Sequence, residues 1–478
     1  MVPVITTSLQ KQNNFMMKVL TLITGICMAA SLHGLFAQNV SSSTSVNLEN
    51  ALNSLNIPEV DEIRGNITLP STLNGCEISW KSALPKVISD KDILLNNSGN
   101  PAYQVIPAGV VMRQKTDTKV RLTATLKQNG ETAQKVFDLT VKATPRLEPL
   151  QDYLFPFFPS NHQEQIYFAV GKDPLHFEDL NNEKPVLEST VGNLGVRDPY
   201  ILRSHEGDKF FLIATDLKVQ SQGFETVNGS LDMVVWESKD LVHWSKPRLV
   251  DIGARAFIRE DGRHLGCVYA PEAIYDEITG EYVVFWSSRV YPNYPTTLSG
   301  RHYKVFYSRT RDFVHFTPGK LYIERGERGD LIDVSMLKAA DGKYYRISAD
   351  GLMSIEQADS ILGSWKKVSD LTTLHLKMNN YDAYWADTHL TLRGKLIEGP
   401  ELFKFNQEDR WGLYSDNYQK PGMGYIPVTT TNLADTTGQA WQLYTKDQYN
   451  FGKLRKRHGS ILGITAKEYK KLIDFWGN

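Results

Sequence analysis

The segment RDPYILRSHEGDKFFLIATD, residues 197–216, opens near an acid, continues through an apolar stretch, crosses a polar turn and returns through an aromatic strand. The same pattern recurs in APEAIYDEITGEYVVFWSS from Ala270, IDVSMLKAADGKYYRISAD from Ile332 and EGPELFKFNQEDRWGLYSD from Glu398. Self-similarity with this period is typical of a radial array in which each repeat is one four-stranded blade.

Each repeat carries an acidic residue near its beginning. These residues are Asp198, Glu272, Asp333 and Glu398, at spacings of 74, 61 and 65 residues. If every repeat begins with its innermost strand, the four carboxylates point into one central cavity. The repetition therefore predicts an acidic site on the axis of the array.

The outer half of the unit also repeats, and the number of its copies predicts how the ring closes. Five outer copies end at Phe177, Trp244, Phe316, Trp365 and Trp441. One inner strand is then missing, and RHGSILGIT supplies it, with His458 lying 60 residues after Glu398. We therefore expect an all-β fold, a five-bladed β-propeller, in which one blade joins the segment Tyr153–Phe177 to the C-terminal strand. Such a seam leaves no exposed sheet edge.

The N-terminal residues predict the compartment. Lys18 precedes an apolar run from Val19 to Ala30, and small residues end at Ala37, so residues 1–38 read as a secretory signal peptide. The run is too short to span a membrane, and no transmembrane segment is expected in the mature chain. We expect a secreted or periplasmic bacterial protein. A formal net charge of -1 argues against nucleic acid as a partner.

A second domain precedes the predicted propeller. Val120, Leu122, Ala124 and Leu126 alternate with polar residues before Asn129-Gly130, and the chain then returns with the same period of two. This pattern predicts a hairpin with one buried face. We interpret residues 46–143 as a small immunoglobulin-like β-sandwich, 144–151 as a linker and 152–470 as the catalytic propeller. The sandwich shows no catalytic constellation, so a spacer or docking role is expected.

A cavity lined by carboxylates suits the hydrolysis of a glycosidic bond. That reaction needs one protonated carboxyl to assist the leaving oxygen and one ionised carboxylate to act as base or nucleophile. A further carboxylate nearby raises the pKa of the acid. Asp198, Asp333 and Glu398 have the residue types and the common inward position for these roles.

Four motifs in order resemble glycoside hydrolase family 43. They are Asp198-Pro-Tyr-Ile201, Tyr269-Ala-Pro271, Ile332-Asp-Val-Ser-Met336 and Glu398-Gly-Pro-Glu-Leu-Phe-Lys404. The resemblance covers about residues 153–470. It implies an inverting hydrolase acting on arabinose-, xylose- or galactose-containing plant polysaccharide, for which an α-L-arabinofuranosidase is the leading expectation.

Motif matching also assigns roles. The resemblance implies that Asp198 is the general base, Asp333 the residue that orients the acid and tunes its pKa, and Glu398 the general acid. Tyr269 stands where the family usually has tryptophan, and Val334 where it usually has proline, which affects the expected substrate rather than the chemistry. No cofactor is expected to be required. The resemblance does imply that His458 lies near the axis, where a structural calcium is sometimes held through water.

Other residues are candidates for binding substrate. Glu272 occupies the acid position of its repeat, and His458 the fifth axial position. Arg197 and Arg346 are candidates for steering carboxylates or hydroxyls. Tyr384 and Trp385 belong to a long insertion, and loops of this kind decorate pocket rims, so we expect them to stack on sugars.

Other functions remain open at this point. A β-xylosidase or an exo-galactanase of the same family fits the motifs equally well. A non-catalytic carbohydrate-binding propeller is also possible, although a lectin has no need for three converging acids. A retaining fructan hydrolase would need a glutamate-cysteine acid, whereas Glu398 is followed by glycine.

Overall fold

The computed structural model describes residues 48–95, 99–224, 227–325, 329–418 and 424–477. The predicted signal peptide, residues 1–38, lies outside this part of the chain. Within it the fold is all-β, with a few short helices. None of the described helices is both long and apolar enough to cross a membrane.

The N-terminal unit is built around one antiparallel sheet. A helix, α1, covers residues 48–54. The strands that follow are β1 (Thr72–Leu73), β2 (Cys76–Ser82), β3 (Ile93–Leu94), β4 (Val105–Ile106), β5 (Thr118–Gln128) and β6 (Glu131–Val141). The sheet order is β1-β2-β5-β6, and β3 pairs with β4 separately. The predicted hairpin is confirmed: β5 and β6 pair around Asn129 and Gly130, whose φ angles of 50° and 89° suit a tight hairpin turn.

The rest of the chain forms further antiparallel strands. They are β7 (Leu150–Phe157), β8 (Tyr167–Asp173), β9 (His176–Asp179), β10 (Val196–Arg203), β11 (Phe210–Asp216), β12 (Asp232–Ser238), β13 (Arg248–Asp251), β14 (His264–Leu265), β15 (Tyr269–Asp276), β16 (Glu281–Tyr291), β17 (His302–Thr310), β18 (Lys320–Ile323), β19 (Ile332–Lys338), β20 (Tyr344–Ala349), β21 (Ser354–Ala358), β22 (Lys366–Asp370), β23 (Glu398–Lys404), β24 (Trp411–Asp416), β25 (Tyr425–Thr430), β26 (Trp441–Leu443) and β27 (Leu462–Thr465).

Short helices connect some of these strands. The α-helices are α2 (Val219–Gln222), α3 (Ala254–Asp261), α4 (Leu371–Leu374), α5 (Tyr381–Thr388) and α6 (Ala466–Trp476). The 3₁₀ turns are Pro101–Tyr103, Asn181–Glu183, His375–Lys377 and Lys446–Gln448. The Thr465 hydroxyl accepts from the Glu468 N–H and the Glu468 carboxylate accepts from the Thr465 N–H, so a capping box starts α6.

These strands form five sheets. Sheet 1 has the order β10-β11-β12-β13, sheet 3 β19-β20-β21-β22 and sheet 4 β23-β24-β25-β26. Sheet 2 has the order β15-β16-β17-β18, with β14 also paired to β16. Sheet 5 has the order β27-β7-β8-β9, so the C-terminal strand joins the first strands of this region, as the sequence predicts.

The hydrophobic core lies in layers between neighbouring sheets. One cluster, including Ile213 and Trp286, joins sheets 1 and 2, and another, including Phe285 and Met336, joins sheets 2 and 3. Three further clusters join sheets 3 and 4, sheets 4 and 5, and sheets 5 and 1. Each sheet therefore buries both faces, which explains why strands such as β11 and β24 are apolar on both sides.

The first strands of sheets 1 to 4 share one irregularity close to their start. Pairing with the second strand is interrupted after Arg197, Tyr269, Ile332 and Glu398. The next residue in each case, Asp198, Ala270, Asp333 or Gly399, has a left-handed backbone with φ of 49°, 43°, 52° and 52°. A β-bulge at a sheet rim re-aims the side chains around it, so these four positions are structurally equivalent.

The N-terminal unit packs directly on sheets 1 and 2. Asp208, in the turn between β10 and β11, accepts hydrogen bonds from Arg64 at 2.7 Å and from Arg113 at 2.8 Å. The buried guanidinium of Arg311 donates to the carbonyls of Ile67 and Ala108. Because a buried guanidinium needs its donors satisfied, this contact holds the two units in a defined arrangement.

Candidate active site

The three predicted catalytic carboxylates all lie at the bulged starts of first strands. Asp198 and Asp333 occupy the left-handed bulge position, and Glu398 directly precedes it. A left-handed aspartate costs on the order of 1–3 kcal/mol of backbone strain, and such strain concentrates at functional sites. Hydrogen bonds compensate here: the Thr215 hydroxyl donates to Asp198 Oδ2 at 2.9 Å and the Gly399 N–H to Asp333 Oδ2 at 2.9 Å.

His458 connects the two aspartates. Its Nδ1 lies 3.3 Å from Asp198 Oδ1 and 3.8 Å from Asp333 Oδ2, and the ring is buried against Gly399. Although burial opposes the charged form, Asp333 and Asp198 raise the pKa of His458 to about 9. The site therefore contains an imidazolium between two carboxyl groups at neutral pH.

The two aspartates have opposite pKa shifts. Burial acts to raise the pKa of Asp198, but the hydrogen bond and charge of His458 and the charge of Arg197 outweigh it, so this pKa lies below its usual value. Burial raises the pKa of Asp333, and the nearby Asp198 carboxylate adds to the effect against the opposing charge of His458. Asp198 is thus the carboxylate that stays ionised most easily.

Glu398 is the carboxyl group that stays protonated. Burial raises its pKa to about 8, with further contributions from Asp333 and Asp416. Arg457 opposes this shift, since its Nη2 donates to Glu398 Oε1 at 3.1 Å while its Nε donates to Asp416 Oδ2 at 2.7 Å. The Glu398 side chain keeps 30% of its exposure, whereas Asp333 keeps 5%, so Glu398 is the more accessible of the two.

Glu272 takes a different position on its strand from the three acids, although, besides burial, the charge of Asp333 contributes to the raised pKa of Glu272. It follows its bulge residue Ala270 by two positions, and Glu401 follows Gly399 by two, so these two glutamates are equivalent. Both are buried and both bond the Ser335 hydroxyl. Burial and the charge of Glu401 raise the pKa of Glu272. Burial raises the pKa of Glu401 to about 8.

Arg197 lies beside Asp198 as predicted but is occupied by other groups. Its Nη1 donates to Asn161 at 2.7 Å and to buried Glu164 at 3.2 Å. Its guanidinium stacks between Phe158, at 4.5 Å, and the half-exposed ring of Phe224, at 5.2 Å. Arg197 therefore acts on Asp198 through its charge, and Phe224 presents an aromatic surface at this edge of the site.

Three predicted binding residues do not join this cluster. Tyr384 is buried in α5, so the expected stacking role of its ring is wrong. Trp385 is exposed, but α5 lies beside β26, the outermost strand of sheet 4, since the side chain of Asn380 at its start donates to the Leu443 carbonyl at 3.1 Å. Arg346 is buried on β20, where it pairs with Glu356 at 2.7 Å.

No role in the site was predicted from the sequence for Arg457 or Asp416. The ion pair between Asp179 and Lys456, which holds the turn before Arg457, was also missed. Asp179 Oδ2 accepts the N–H groups of Lys453 and Leu454 at 2.7 and 2.9 Å, and Asp179 also pairs with the buried Lys456 ammonium. This ion pair fixes the turn that delivers the next two residues, Arg457 and His458, to the carboxylates. The basic run at 453–457 was the available signal, but alone it resembles a solvated flank.

The surroundings of His458 do not fit a directly bound metal ion. Across the described residues, no group of three or more histidine, cysteine, aspartate or glutamate side chains is arranged to hold one. One ring nitrogen of His458 is already directed at Asp198, and Glu272 and Glu401 favour their protonated forms. Carboxylates must be deprotonated to bind a metal ion well.

Comparison with known proteins finds similar solved structures and a protein with a similar sequence. Solved structures with similar folds include a thermostable family-43 glycoside hydrolase (17% identity, 57% of this chain and 81% of that chain, TM-score 0.36). Another is an endo-arabinase from Bacteroides thetaiotaomicron (15% identity, 56% and 94%, TM-score 0.34). An α-L-arabinofuranosidase from Bifidobacterium longum is 31% identical over 414 residues, 81% of this chain. The present chain spans only 37% of that protein.

Two family profiles match successive parts of the chain. Residues 48–144 match the atrophied bacterial immunoglobulin domain. Residues 148–470 match the family 43-related profile described as a probable glycosyl hydrolase domain. The second match covers more than half of the chain and includes all of the carboxylates and cations described above. The protein therefore belongs to the family of probable glycosyl hydrolase domains related to family 43.

Proposed function

We propose that the protein is an α-L-arabinofuranosidase that removes terminal arabinose from plant polysaccharide with inversion of configuration. The observation that carries the chemistry is the opposite protonation of two carboxyl groups in one site. The pKa of Asp198 is lowered by the hydrogen bond and charge of His458 against the effect of burial, and burial raises that of Glu398 to about 8. An acid and a base with separated pKa values are what glycoside hydrolysis requires.

The reaction follows from these protonation states. Glu398 donates its proton to the glycosidic oxygen as the bond to the anomeric carbon breaks. Asp198 accepts a proton from a water that attacks the opposite face of that carbon. Asp333 is the residue that tunes the acid, because its charge raises the pKa of Glu398. One water is consumed, and the proton taken up by Asp198 returns through solvent to Glu398.

The supporting architecture is a five-bladed β-propeller over residues 152–470, preceded by an immunoglobulin-like module at 46–143 and a linker at 144–151. Five core layers join each sheet to the next, including sheet 5 to sheet 1. Hydrogen bonds join neighbouring sheets in the same order: the Ala270 N–H of β15 donates to the Thr215 hydroxyl of β11 at 2.8 Å, and the Ile201 N–H of β10 donates to the Ser460 hydroxyl, just before β27, at 2.9 Å. These contacts support a ring in which every first strand faces one axis.

Arabinose is the proposed substrate sugar because the relative from Bifidobacterium longum bears that activity in its name. The three acids expose only between 5% and 30% of each side chain. Such limited exposure suits a pocket for one terminal sugar better than an open groove for a polymer. We assign the stacking surface to Phe224 rather than to Tyr384. Activity on β-xylosides or β-galactosides would require the site to accept xylose or galactose instead of arabinose.

The proposal also includes the cellular compartment of the protein and its need for cofactors. The signal pattern in residues 1–38 supports secretion or export to the periplasm of a bacterium. The proposed steps use only protein carboxylates and water, so no cofactor is required, and no step involves a metal ion. Mass analysis of the exported protein identifies its first residue, and cleavage at the end of residues 1–38 is expected.

A substrate screen tests the proposal. The enzyme is assayed on aryl α-L-arabinofuranoside, β-D-xyloside and β-D-galactoside, followed by digestion of branched arabinan and arabinoxylan. Release of free arabinose from the first aryl glycoside and from both polymers is expected. Hydrolysis of the xyloside or the galactoside alone would assign the alternative activity, and hydrolysis of none would leave a carbohydrate-binding propeller.

A further inference from the structure

A second cavity lies between sheets 2 and 3 and the N-terminal unit, apart from the carboxylates. Its volume is about 650 Å³, within the range of roughly 300–1,000 Å³ that small-molecule sites occupy. Arg346, which the sequence placed with the acids, lines this cavity instead. None of the residues that line it belongs to the catalytic cluster.

Aromatic rings and a fixed guanidinium form one wall. The Arg346 guanidinium lies 4.2 Å from the Trp365 ring and 5.4 Å from the Tyr322 ring, and Glu356 holds it at 2.7 Å. Tyr307 contacts Tyr322 edge-on with centroids 5.4 Å apart. Such a wall combines flat apolar surface with polar groups whose positions are set by neighbouring side chains.

The wall also has capacity for hydrogen bonds that the protein does not use. Tyr307 and Lys320 are register partners on β17 and β18, so their side chains leave the sheet on the same face. In the described part of the chain, Arg346 Nη1 is buried without a hydrogen-bond partner, whereas Tyr307 is half-buried and Lys320 is exposed. A buried donor without a partner is uncommon in a folded protein.

The N-terminal unit supplies the opposite edge of the cavity through Asn100, Pro101 and Ala102. The Asn100 amide donates to the Leu362 carbonyl at 2.7 Å, and the Leu362 N–H donates to the Tyr103 hydroxyl at 2.9 Å. Arg309, from β17, donates to the Ala102 carbonyl. These contacts fix the edge, so the cavity is complete only when both units are present.

The charges of the lining select a neutral polar ligand. Arg309, Lys320, Arg325 and Arg346 oppose a cation, while Glu324 and Glu356 oppose an anion. Glu356 accepts from both Arg325 and Arg346, and Glu281 pairs with Arg309, so most of these charges are already balanced. A sugar ring has an apolar face for aromatic contact and hydroxyls that both donate and accept hydrogen bonds.

We infer that this cavity is a second carbohydrate site, which holds a neutral oligosaccharide segment of the polymer while the catalytic cluster acts on a terminal sugar. The choice of sugar as ligand rests on the proposed function. The inference gives the N-terminal unit a role, since Asn100, Pro101 and Ala102 complete the binding site.

Binding and catalysis are measured separately. In the Glu398→Gln background, retention of the protein in gels containing branched arabinan or arabinoxylan is compared with and without Tyr307→Ala or Lys320→Ala. About tenfold weaker retention is expected for Tyr307→Ala, because truncating a residue at the centre of a binding site commonly costs more than 1 kcal/mol. A smaller loss is expected for Lys320→Ala. Lys366→Ala, which removes an exposed lysine outside the cavity, is the matched control.

In the otherwise natural enzyme, the same variants are assayed on the aryl arabinofuranoside, and kcat/KM there is expected to stay unchanged while KM on polymer rises. Unaltered retention for both variants, or equal losses on aryl glycoside and polymer, would overturn the inference. If Tyr307→Ala does not fold, Lys320→Ala and Tyr307→Phe decide. An enzyme inactive on every aryl glycoside would contradict the proposed function, and the retention assay would still test this site.

Discussion

The carboxylates and the cations of the site come from two differently built regions. Asp198, Asp333 and Glu398 lie at equivalent bulges of repeated strands, so one structural device places all three. Arg457 and His458 come from one turn, which lies outside the four repeated first strands. The comparison teaches that repetition supplies acids in similar positions, whereas a unique segment makes their protonation states different.

That unique segment is held by a buried ion pair rather than by strand pairing. The Lys456 ammonium and the Asp179 carboxylate are almost fully buried, and Asp179 also accepts two backbone N–H groups of the turn. Removing one partner of a buried pair costs far more than the pair contributes, because the remaining charge is left without compensation. The cations are therefore positioned from outside the catalytic layer.

The largest expected effect comes from removing the base. Asp198→Asn keeps the size of the side chain but cannot accept a proton from water, so turnover should fall to the background of the assay. Binding of arabinose, measured by calorimetry, should change little because Asp198 acts on water. Retained turnover on the aryl arabinofuranoside would show that another carboxylate is the base. Asp216→Asn, at the end of β11, is the matched control.

Removing the acid should have an effect that depends on the leaving group. Glu398→Gln is expected to lose about 10²–10⁴-fold on substrates with poor leaving groups, the usual contribution of general acid catalysis. An activated aryl leaving group needs little protonation and should lose much less. A plot of log kcat/KM against leaving-group pKa becomes steeper in the variant if Glu398 is the acid. Parallel plots for the two enzymes would remove Glu398 from that role.

The next effect tests the unique turn itself. His458 lowers the pKa of Asp198, so His458→Gln should raise that pKa and move the acidic limb of the kcat/KM profile to higher pH. In the natural enzyme activity should fall as pH rises through about 8, because Glu398 then loses its proton. An acidic limb that stays in place would contradict the link between His458 and the base. His176→Gln, at an exposed position, is the control.

The smallest effect on chemistry is expected from the ion pair that holds the turn. Lys456→Met removes the cation that balances the charge of the buried Asp179 carboxylate, which should reduce the free energy of unfolding by about 3–5 kcal/mol. Activity should fall because His458 moves relative to Asp198, so the acidic limb should shift in the same direction as in His458→Gln. Loss of stability with an unaltered pH profile would limit the pair to a structural role. Lys453→Met removes an exposed lysine of the same turn for comparison.

Residue patterns predicted the repeated part of the site and missed the rest for physical reasons. Alternation and acid spacing located the strands that carry Asp198, Asp333 and Glu398. Spacing grouped Glu272 with these acids, but the residue equivalent to Asp198 on its strand is Ala270, two positions earlier. Arg346 and Tyr384 were misplaced because burial on a sheet face or a helix depends on the neighbouring elements.

Contacts between distant parts of the chain were also invisible in the sequence. The pairing of Asp179 with Lys456 spans the two ends of the catalytic region, and neither residue stands in a recognisable motif. The N-terminal unit was expected to be a spacer or docking element, but its contact with the Arg311 guanidinium through backbone carbonyls was not predicted. Every residue has a backbone carbonyl, so no sequence pattern predicts which of them will accept a hydrogen bond at such an interface.

The stereochemistry of the first product tests the central claim most directly. Inversion requires Asp198 to activate a water, and carboxyl groups about 6.5–9.5 Å apart leave room for it, compared with about 5–5.5 Å for direct attack. Proton NMR of the hydrolysis of an aryl α-L-arabinofuranoside, recorded before mutarotation, should show the β-anomer of arabinose as the first product. An α-anomer appearing first, or a covalent sugar ester trapped on Asp198, would contradict the account.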